Sequence, residues 1–372
     1  MNSRTCLYAA HEKLGAKIVD FSGWDMPLHY GSQIQEHHCV RRDCGMFDVS
    51  HMTVVDIDGS DVRAYLRHLL ANDVAKISAP GQGIYSAMLN HRGGVIDDLI
   101  VYALPSGFRL VVNCATSEKD IAWMNDCAQG FQVLVQQRED LAMIAVQGPQ
   151  AISRVNSVVG QALGAKISAL KPFTSLYASS YQASDNWQYA RTGYTGEEGL
   201  EIILPGSEAE VFWWQLHTAG VQPAGLAARD TLRLEAGLNL YGHEMDENIL
   251  PLQANMAWTI DWRDSERDFI GRPALLAASD AGQQEKLVGL LLTQRGVLRD
   301  GQHVYFAGCD QPGVITSGSF SPTLGYSIAL ARVPVEAGEW GEVAMRKKRE
   351  TVRLVAPGFV RHGQPVIAPC IV

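Results

Sequence analysis

Apolar residues recur along this chain in two rhythms, and each rhythm predicts a different kind of element. Alternation or short apolar runs predict strands at residues 52–57, 84–89, 95–104, 108–114, 141–146, 176–182, 187–192 and 198–204. Helical spacing predicts helices at residues 61–70, 117–127, 209–217 and 226–236, and another after Gly148-Pro149. Ser60 is the expected N-cap of the first helix, and residues 105–107 are the expected turn of a hairpin.

The last part of the chain differs, because it is rich in Gly and Val and its predicted strands are short. These strands are predicted at residues 287–292, 303–306, 313–317, 326–331, 342–345 and 351–355. Regular short strands with turn residues between them are typical of a small barrel or sandwich. The chain as a whole is therefore predicted to be α+β, with a C-terminal all-β barrel-like domain.

Length and composition narrow the classes of protein to consider. A chain of 372 residues is expected to form two or three domains, and 47% hydrophobic residues exclude disorder as its main state. The formal net charge of −9, from 31 basic and 40 acidic residues, argues against a surface that binds nucleic acid or anionic lipid throughout. Positive charge for an anionic ligand would have to be concentrated locally.

The cysteines, the N-terminal sequence and the lack of long apolar runs indicate in which cellular compartment the protein is expected. The cysteine count is seven, which is odd, and no CxxC occurs, so a disulfide framework is not expected and a reducing compartment is favoured. The N-terminus lacks the apolar core of a secretion signal. No apolar run approaches the ~18 residues needed to span a bilayer. We therefore expect a cytoplasmic protein with neither a membrane nor a nucleic-acid partner.

Two adjacent carboxylates, Asp97 and Asp98, lie inside an otherwise apolar predicted strand. Neighbouring side chains of a strand point to opposite faces, so only one of the two can face solvent if the strand is half buried. The other must face a cavity, a ligand or a counter-charge, because a buried bare carboxylate is costly. Capping of the preceding Gly-Gly turn is the alternative role, and it suits Asp97 better than Asp98. Asp98 is therefore the candidate functional residue.

A glycine-rich stretch at residues 191–202 holds a further carboxylate in an apolar strand. Its glycines permit tight turns and close approach of the backbone to a ligand. Glu201 lies within the strand itself, so the same burial argument applies to it. Glu197 and Glu198 fall in the turn and are expected to be solvated.

The predicted helix at residues 226–236 carries Arg229 near its N-terminal turn. A cation there is unfavourable for the helix dipole. Arg229 is therefore expected to pair with an acid or with an anionic ligand. For Arg233, a buried structural pair with Asp230 or Glu235 is the alternative to a functional role.

Two patterns that could indicate a bound cofactor are incomplete. His37, His38, Cys39 and Cys44 lack a second ligand pair at metal-site spacing, so core packing or a helix surface is favoured over a metal. Residues 81–86 lack the third glycine of a dinucleotide-binding loop and precede a predicted strand instead of following one. Neither a metal nor a nicotinamide or flavin cofactor is expected.

Taken together, these stretches resemble the T-protein family of the glycine cleavage system, the tetrahydrofolate-dependent aminomethyltransferases. The resemblance runs from end to end of the chain and is carried by residues 21–31, 46–52, 93–98, 193–197, 225–237, 240–246, 268–271 and 318–331. It implies three domains around a central folate cavity. These would be a discontinuous folate-binding domain at residues 1–50 and 139–270, an inserted α+β domain at 51–138, and a β-barrel domain at 271–372.

The resemblance also implies a reaction and its partners. Members of the family transfer the methylene carbon of the aminomethyl-lipoyl group on H-protein to tetrahydrofolate. Ammonia is released, and the products are 5,10-methylenetetrahydrofolate and dihydrolipoyl H-protein. A transient partnership with lipoylated H-protein, functional links with the P- and L-proteins of glycine catabolism, and a reaction without metal are therefore expected.

By the same resemblance, Asp98 is the catalytic carboxylate and Glu201 holds the edge of the pterin. The other implied folate-binding residues are Tyr85, Tyr194, Asn113, Met52, Arg229 and Arg361. The chain departs from the family pattern at Cys114 and Ala115, at one edge of the expected pocket, and at Leu238, where some members have an aromatic residue. Positive surface charge for acidic partners is expected at residues 41–42 or 346–349.

Two other functions are less well supported by the motifs. A folate-binding accessory protein of this fold would carry a Lys-Gly-Cys-Tyr-x-Gly-Gln motif around a reactive cysteine, and no cysteine stands in the glycine-rich stretches here. A folate-dependent demethylase of another methylamine is commonly fused to a flavin domain, for which this chain has neither the room nor the fingerprint. The transferase is therefore the favoured interpretation.

Overall fold

A computed structural model describes residues 2–179, 186–345 and 348–367. Its α-helices are α1 (Tyr8–Lys13), α2 (Gln33–Arg42), α3 (Val62–Leu69), α4 (Ser117–Cys127), α5 (Ala151–Val159), α6 (Gln161–Ser168), α7 (Gly206–Thr218), α8 (Leu226–Ala236) and α9 (Arg272–Ala281). Short 3-10 helices span Val74–Lys76, Pro251–Ala254 and Ala257–Thr259. The predicted bounds of α4 and α8 are confirmed residue for residue.

The strands begin with β1 (Lys17–Phe21), β2 (Trp24–His29), β3 (Gly45–Asp48), β4 (Thr53–Asp58), β5 (Gly83–Leu89), β6 (Val95–Ala103), β7 (Phe108–Val112), β8 (Leu134–Gln137), β9 (Leu141–Gln147), β10 (Ser175–Ser179), β11 (Asn186–Ala190), β12 (Gly199–Pro205) and β13 (Gln222–Pro223). They continue with β14 (Glu285–Leu292), β15 (His303–Phe306), β16 (Gly313–Phe320), β17 (Ser327–Pro334), β18 (Trp340–Met345), β19 (Lys348–Val355), β20 (Val360–Arg361) and β21 (Gln364–Pro365). Of the strand predicted at residues 176–182, residues 180–182 lie outside the described residues.

Two sheets from the first part of the chain position the site. One has the order β10-β11-β12-β9-β3-β13, and the other the order β5-β6-β7-β4-β8. The second sheet is antiparallel throughout, and the predicted β6–β7 hairpin is confirmed. Its apolar face packs on α3 and α4 through Tyr65 and Met124, which are fully buried. The first sheet packs on α5 and α7 around Trp213.

The C-terminal strands close into a barrel of order β14-β17-β16-β15-β18-β19. Leu290, Val304, Ile315 and Val343 fill its interior and are fully buried. Closure leaves no free sheet edge, which is how a small all-β unit protects its backbone hydrogen-bonding groups. The α+β class with a C-terminal barrel is therefore confirmed, and the barrel replaces the sandwich alternative. The residue bounds of the three domains stay a prediction.

Several local predictions are corrected by the structure. Asp61 is the N-cap of α3, not Ser60, and its carboxylate accepts a hydrogen bond from the backbone N–H of Gln132 at 2.7 Å. Arg41 was expected at the surface but is buried, because its guanidinium is 2.7 Å from Glu197 and 2.8 Å from Glu235. The side chain of Glu197 is consequently buried as well and not solvated. Of the predicted basic run at 346–349, residues 346 and 347 lie outside the described residues.

Candidate active site

A cavity of about 360 Å³ lies between the two sheets, α8 and the segment before the C-terminus. Its volume is in the range typical of small-molecule sites. All of the residues predicted for the site line this one cavity: Met52, Tyr85, Asp98, Asn113, Tyr194, Glu201, Arg229 and Arg361. The first and the last of these residues are more than 300 positions apart in the sequence, and the fold brings them to one cavity.

Asp98 projects from the middle of β6 into the cavity. Its Oδ2 accepts a hydrogen bond from the hydroxyl of Tyr85 at 2.7 Å, and its Oδ1 accepts one from Nδ2 of Asn113 at 3.0 Å. Burial, and next the neighbouring carboxyl of Asp97, raise the pKa of Asp98 to about 7. A carboxyl group with such a pKa can take up or release a proton near neutral pH, as a general acid or base requires.

Asp97 does not cap the Gly-Gly turn, contrary to the role favoured for it from sequence. Asn90 performs that task, since its Oδ1 accepts hydrogen bonds from the backbone N–H of Arg92 at 2.9 Å and of Gly94 at 3.1 Å. Asp97 is fully buried on the other face of β6, where both of its oxygens accept hydrogen bonds from Asn113. Neither face of this strand is open to bulk solvent, so both carboxylates are withdrawn from water.

Glu201 lies on β12, across the cavity lining from β6. Its Oε2 accepts a hydrogen bond from the hydroxyl of Thr192 at 2.5 Å, and Thr192 contacts the hydroxyl of Tyr102 at 3.0 Å. Burial raises the pKa of Glu201. Among the residues that the structure describes, no donor hydrogen-bonds to Oε1. Glu201 therefore keeps one acceptor oxygen for a ligand.

Arg229 and Tyr194 form the third part of the cavity wall. The guanidinium of Arg229 lies 4.8 Å from the ring centroid of Tyr194, a cation–π arrangement. The Tyr194 hydroxyl donates to the backbone carbonyl of Asn239. Within the described ranges, the guanidinium of Arg229 has no hydrogen bond or ion pair. It is therefore available to an anionic group in the cavity.

Arg233, one helical turn further along α8, contrasts with Arg229. It pairs with Asp230 at 2.9 Å, one of the two partners considered in the structural alternative, and with the fully buried Glu244 at 3.1 Å. Arg233 therefore has a structural role, whereas no carboxylate of the described residues is in contact with the guanidinium of Arg229. Met52 lines the cavity as an apolar wall, and Arg361 lies exposed on β20 where the cavity meets the surface.

Trp258 is a cavity residue that sequence reasoning missed. Its ring stacks on Tyr85 with centroids 5.6 Å apart and an interplanar angle of 22°, yet the residue is 64% exposed. It belongs to the short 3-10 helix Ala257–Thr259, where apolar spacing gives no periodic signal. A tryptophan in such a segment was the available clue. Leu238, the noted departure from the family pattern, also lines the cavity.

The part of the chain that the structure describes contains neither a metal-binding cluster nor a membrane-spanning helix. No group of three or more His, Cys, Asp or Glu residues there is arranged to hold a metal ion. His37 instead contacts the hydroxyls of Thr231 at 2.8 Å and Thr323 at 3.1 Å. Among the described helices, none combines the length and the apolar character that crossing a bilayer requires.

Comparison with known proteins gives a family for both parts of the chain. Residues 7–264 match the model of the GCVT N-terminal domain, and residues 285–361 match that of the glycine cleavage T-protein C-terminal barrel domain. The chain is also similar to the crystal structure of glycine cleavage system aminomethyltransferase T from Bartonella henselae. The two share 32% sequence identity at a TM-score of 0.90, over 97% of this chain and 99% of that one.

A second structure is much less similar. The heterotetrameric sarcosine oxidase from Corynebacterium sp. U-96, in complex with pyrrole 2-carboxylate, matches over 58% of this chain and 94% of its own, with 15% identity. Its TM-score of 0.37 is too low to support an argument about this chain.

Proposed function

This chain belongs to the glycine cleavage T-protein family of aminomethyltransferases, and we propose that its acceptor is tetrahydrofolate and its donor the aminomethyl-lipoyl arm of H-protein. In the proposed reaction the methylene carbon passes to the folate, ammonia leaves, and the lipoyl arm ends as a dithiol. The P- and L-proteins of the same system would act before and after this step. The products are 5,10-methylenetetrahydrofolate and dihydrolipoyl H-protein.

The observation that carries the proposal is the environment of Asp98. Its carboxylate lies at the cavity with two donors fixed on it, Tyr85 and Asn113, and no cation among the described residues contacts it. Burial and Asp97 raise the pKa of Asp98 to about 7. A group in that state can exchange a proton with an amine during the transfer.

The lining of the cavity supports a reduced pterin as the ligand. The carboxylate of Glu201 has an acceptor oxygen to spare, and an aminopyrimidine edge presents two parallel N–H donors, the geometry that a carboxylate binds in bidentate fashion. Tyr85 and Tyr194 supply aromatic surface on which the ring system can pack. Asn113 and Met52 complete the wall around it.

Two arginines suit the anionic parts of a folate. Arg229 lies inside the cavity and Arg361 at its exposed end, and neither guanidinium forms an ion pair with another described residue. Arg361 is suited to the carboxylate tail, because an exposed cation at a cavity mouth attracts an anion without a large desolvation cost. This is how a chain of net charge −9 would bind an anionic co-substrate.

The proton balance of the transfer defines the task of Asp98. Bound folate supplies the two amine nitrogens that receive the carbon, and the two protons they lose are matched by those gained by ammonia and by the lipoyl sulfur. Asp98 can accept one such proton at Oδ2 or Oδ1 and return it, because its pKa near 7 favours neither state strongly. As a carboxylate it also stabilises positive charge that develops on the carbon in transit.

The test uses purified protein, tetrahydrofolate and aminomethylated H-protein, with ammonia release as the readout. We expect release to be accelerated only when all three are present, and 5,10-methylenetetrahydrofolate to form in equal amount. Omission of folate, or H-protein without its lipoyl group, is the matched control. Tight folate binding without any acceleration would contradict the transferase and identify a folate-binding accessory protein instead.

A further inference from the structure

Two buried hydroxyl groups stand in a row behind Glu201. Thr192 follows β11, and Tyr102 lies near the end of β6. The Thr192 hydroxyl donates to Oε2 of Glu201 at 2.5 Å, and the Tyr102 hydroxyl lies 3.0 Å from the Thr192 hydroxyl. Glu201 lines the cavity, whereas the described lining includes neither Tyr102 nor Thr192. This hydroxyl pair can therefore influence a ligand through Glu201.

The hydrogen bonds of the row have one direction. Each hydroxyl has a single proton to donate, and an ionised carboxylate can only accept. The proton of Thr192 is used on Oε2 of Glu201, so the Thr192 oxygen must accept from Tyr102. Burial raises the pKa of Tyr102 well above its ordinary value, so the phenol keeps the proton that it donates. Both donors consequently point toward the carboxylate.

The ring of Tyr102 is held in place by the neighbouring strand. Gly83 on β5 pairs with Tyr102 across the sheet, and a Cβ at Gly83 would lie 2.7 Å from Cδ1 of the ring. A larger residue at this position would therefore displace the ring. Glycine at position 83 allows the ring to lie against the strand, where its hydroxyl reaches Thr192.

The backbone of Thr192 is held by the amide of Gln147, which is fully buried on β9. Nε2 of Gln147 donates to the carbonyl of Thr192 at 3.1 Å. The amide lies between Gly193 and Gly199, where a Cβ would approach it to 1.9 Å and 2.4 Å. These two residues of the glycine-rich stretch thus make room for the group that fixes Thr192.

We propose that Tyr102 and Thr192 are positioning residues, which hold the carboxylate of Glu201 in one orientation and direct its remaining acceptor sites into the cavity. This inference rests on the proposed function, because it takes tetrahydrofolate as the ligand of Glu201. An ionised carboxylate has about four acceptor sites, and Thr192 occupies one of those on Oε2. Sites on both oxygens remain for the two parallel N–H donors of a pterin edge.

The other groups around Glu201 leave this arrangement intact. In the sheet, Glu201 lies between Ala145 of β9 and Ala190 of β11, whose side chains offer no hydrogen bond. Arg229 of α8 lines the same cavity, and within the described ranges it forms no ion pair with Glu201. In the part of the chain that the structure describes, Thr192 is therefore the donor that orients the carboxylate.

The binding test compares two substitutions that separate the hydroxyl of Thr192 from its shape. Thr192→Val keeps the shape and removes the hydroxyl, whereas Thr192→Ser keeps the hydroxyl and removes a methyl group. We expect the Kd for tetrahydrofolate to rise by about 5–10-fold in Thr192→Val and by less than about twofold in Thr192→Ser. A packing role predicts the opposite order, because serine leaves a void. Weaker binding by Thr192→Ser than by Thr192→Val would overturn the inference.

Tyr102→Phe tests the direction of the hydrogen bonds. Thr192 can still donate to Glu201 in this variant, so we expect a smaller rise in Kd, of about 2–3-fold. A rise larger than that in Thr192→Val would contradict the proposed order of donors. The matched controls are Tyr305→Phe and Thr351→Val, which make the same changes on the barrel, and their Kd values should equal that of the unchanged protein.

A measurement without ligand separates this inference from the proposed function. Burial raises the pKa of Glu201, and loss of its donor costs more stability when the carboxylate is ionised than when it is protonated. The midpoint of chemical denaturation should therefore differ between Thr192→Val and Thr192→Ser by more at about pH 8 than at about pH 4. In the Glu201→Gln background this pH dependence should vanish.

The outcomes of the two measurements are distinguishable. An equal difference in midpoint at the two pH values would overturn the inference, whatever the protein binds. If the difference grows with pH as expected but no folate binds, or no ammonia is released, the proposed function fails and the positioning of Glu201 stands.

Discussion

Two regions of this molecule contain a buried carboxylate, and the two carboxylates have opposite roles. In the contact between α2 and α8, Glu235 is fully buried, and Arg41 approaches it at 2.8 Å and His37 at 3.2 Å. In the cavity, the donors to Asp98 that the described residues supply are neutral groups, the Tyr85 hydroxyl and the Asn113 amide. The pKa of Glu235 is lowered to about 2, through its hydrogen bond with His37 and the charges of His37 and Arg41, against the effect of burial.

Asp98 shows the other outcome, since burial without a counter-charge raises its pKa to about 7. Burial alone therefore does not decide what a carboxylate does. A cation in contact keeps a buried carboxylate ionised, so the pair stabilises the fold. Neutral hydrogen-bond donors leave the carboxyl group able to gain and lose a proton near neutral pH.

Removing one partner of the structural region should have the largest effect. Glu235→Gln leaves Arg41 and His37 buried without their shared carboxylate, and we expect the free energy of unfolding to fall by ~3–5 kcal/mol. Chemical denaturation at neutral pH measures this loss. The control is Glu342→Gln on the barrel, because its pair with Arg349 at 3.4 Å is exposed and should matter by less than ~1 kcal/mol.

The pH dependence of stability sharpens the same point. The pKa of Glu235 is depressed from 4.5 to about 2, so its contribution is complete above about pH 4.5 and is lost as the pH falls toward 2. Glu235→Gln should remove that part of the acid sensitivity. If acidification lowers the free energy of unfolding equally in both proteins, the acid sensitivity does not come from Glu235.

A smaller effect is expected for the ligand-binding carboxylate of the cavity. Glu201→Ala should weaken folate binding by ~1.5–3 kcal/mol, the value of hydrogen bonds to a charged group, with little change in stability. Titration calorimetry with tetrahydrofolate measures the affinity. Glu198→Ala is the control, since this half-exposed residue pairs with Arg191 and lies outside the cavity lining. Equal affinities of the two variants would remove Glu201 from the folate site.

The fold was predictable from sequence where pattern and chemistry are local. The apolar stripes of α4 and α8 gave their bounds, and the cost of burying a charge in an apolar strand singled out Asp98 and Glu201. The helix α2, with the sequence QIQEHHCVRR, was missed because it has almost no apolar stripe. Its Arg41 finds partners more than 150 residues away, which no local pattern can indicate.

Asp97 illustrates the second limit of sequence reasoning. Alternation along β6 correctly placed the two aspartates on opposite faces, but it could not show that both faces are covered, one by the cavity and one by α4. Coverage depends on how sheets and helices pack, which is a property of the whole fold. Trp258 was missed for a similar reason, since its contact with Tyr85 joins two segments that have no relation in sequence.

Substitution of Asp98 in the cavity is expected to raise the free energy of unfolding, whereas substitution of Glu235 is expected to lower it. The pKa of Asp98 is raised from 3.8 to about 7, so this group favours the folded state below about pH 4 and costs stability as the pH rises toward 7. Asp98→Asn should therefore be more stable than the unchanged protein by ~1–2 kcal/mol at about pH 8, with the part open to the cavity reducing the gain. At about pH 4 the difference should vanish. If the variant is less stable than the unchanged protein at both pH values, Asp98 stabilises the fold as Glu235 does.

The smallest effect is expected at the mouth of the cavity. Arg361→Gln should reduce folate affinity by less than ~1 kcal/mol, because exposed charges are screened by water and salt. The loss should shrink further when the ionic strength is raised. A large and salt-independent loss would place Arg361 inside the binding site and not at its entrance.

The most direct test of the central claim is single-turnover ammonia release by Asp98→Asn, measured together with its affinity for tetrahydrofolate. The control is Asp58→Asn, an exposed aspartate on β4 of the same sheet. If Asp98 is the proton-exchanging group, release should slow by about 10²–10⁴-fold while folate affinity is kept, and the control should match the unchanged protein. Release by Asp98→Asn at nearly the rate of the control would contradict the claim.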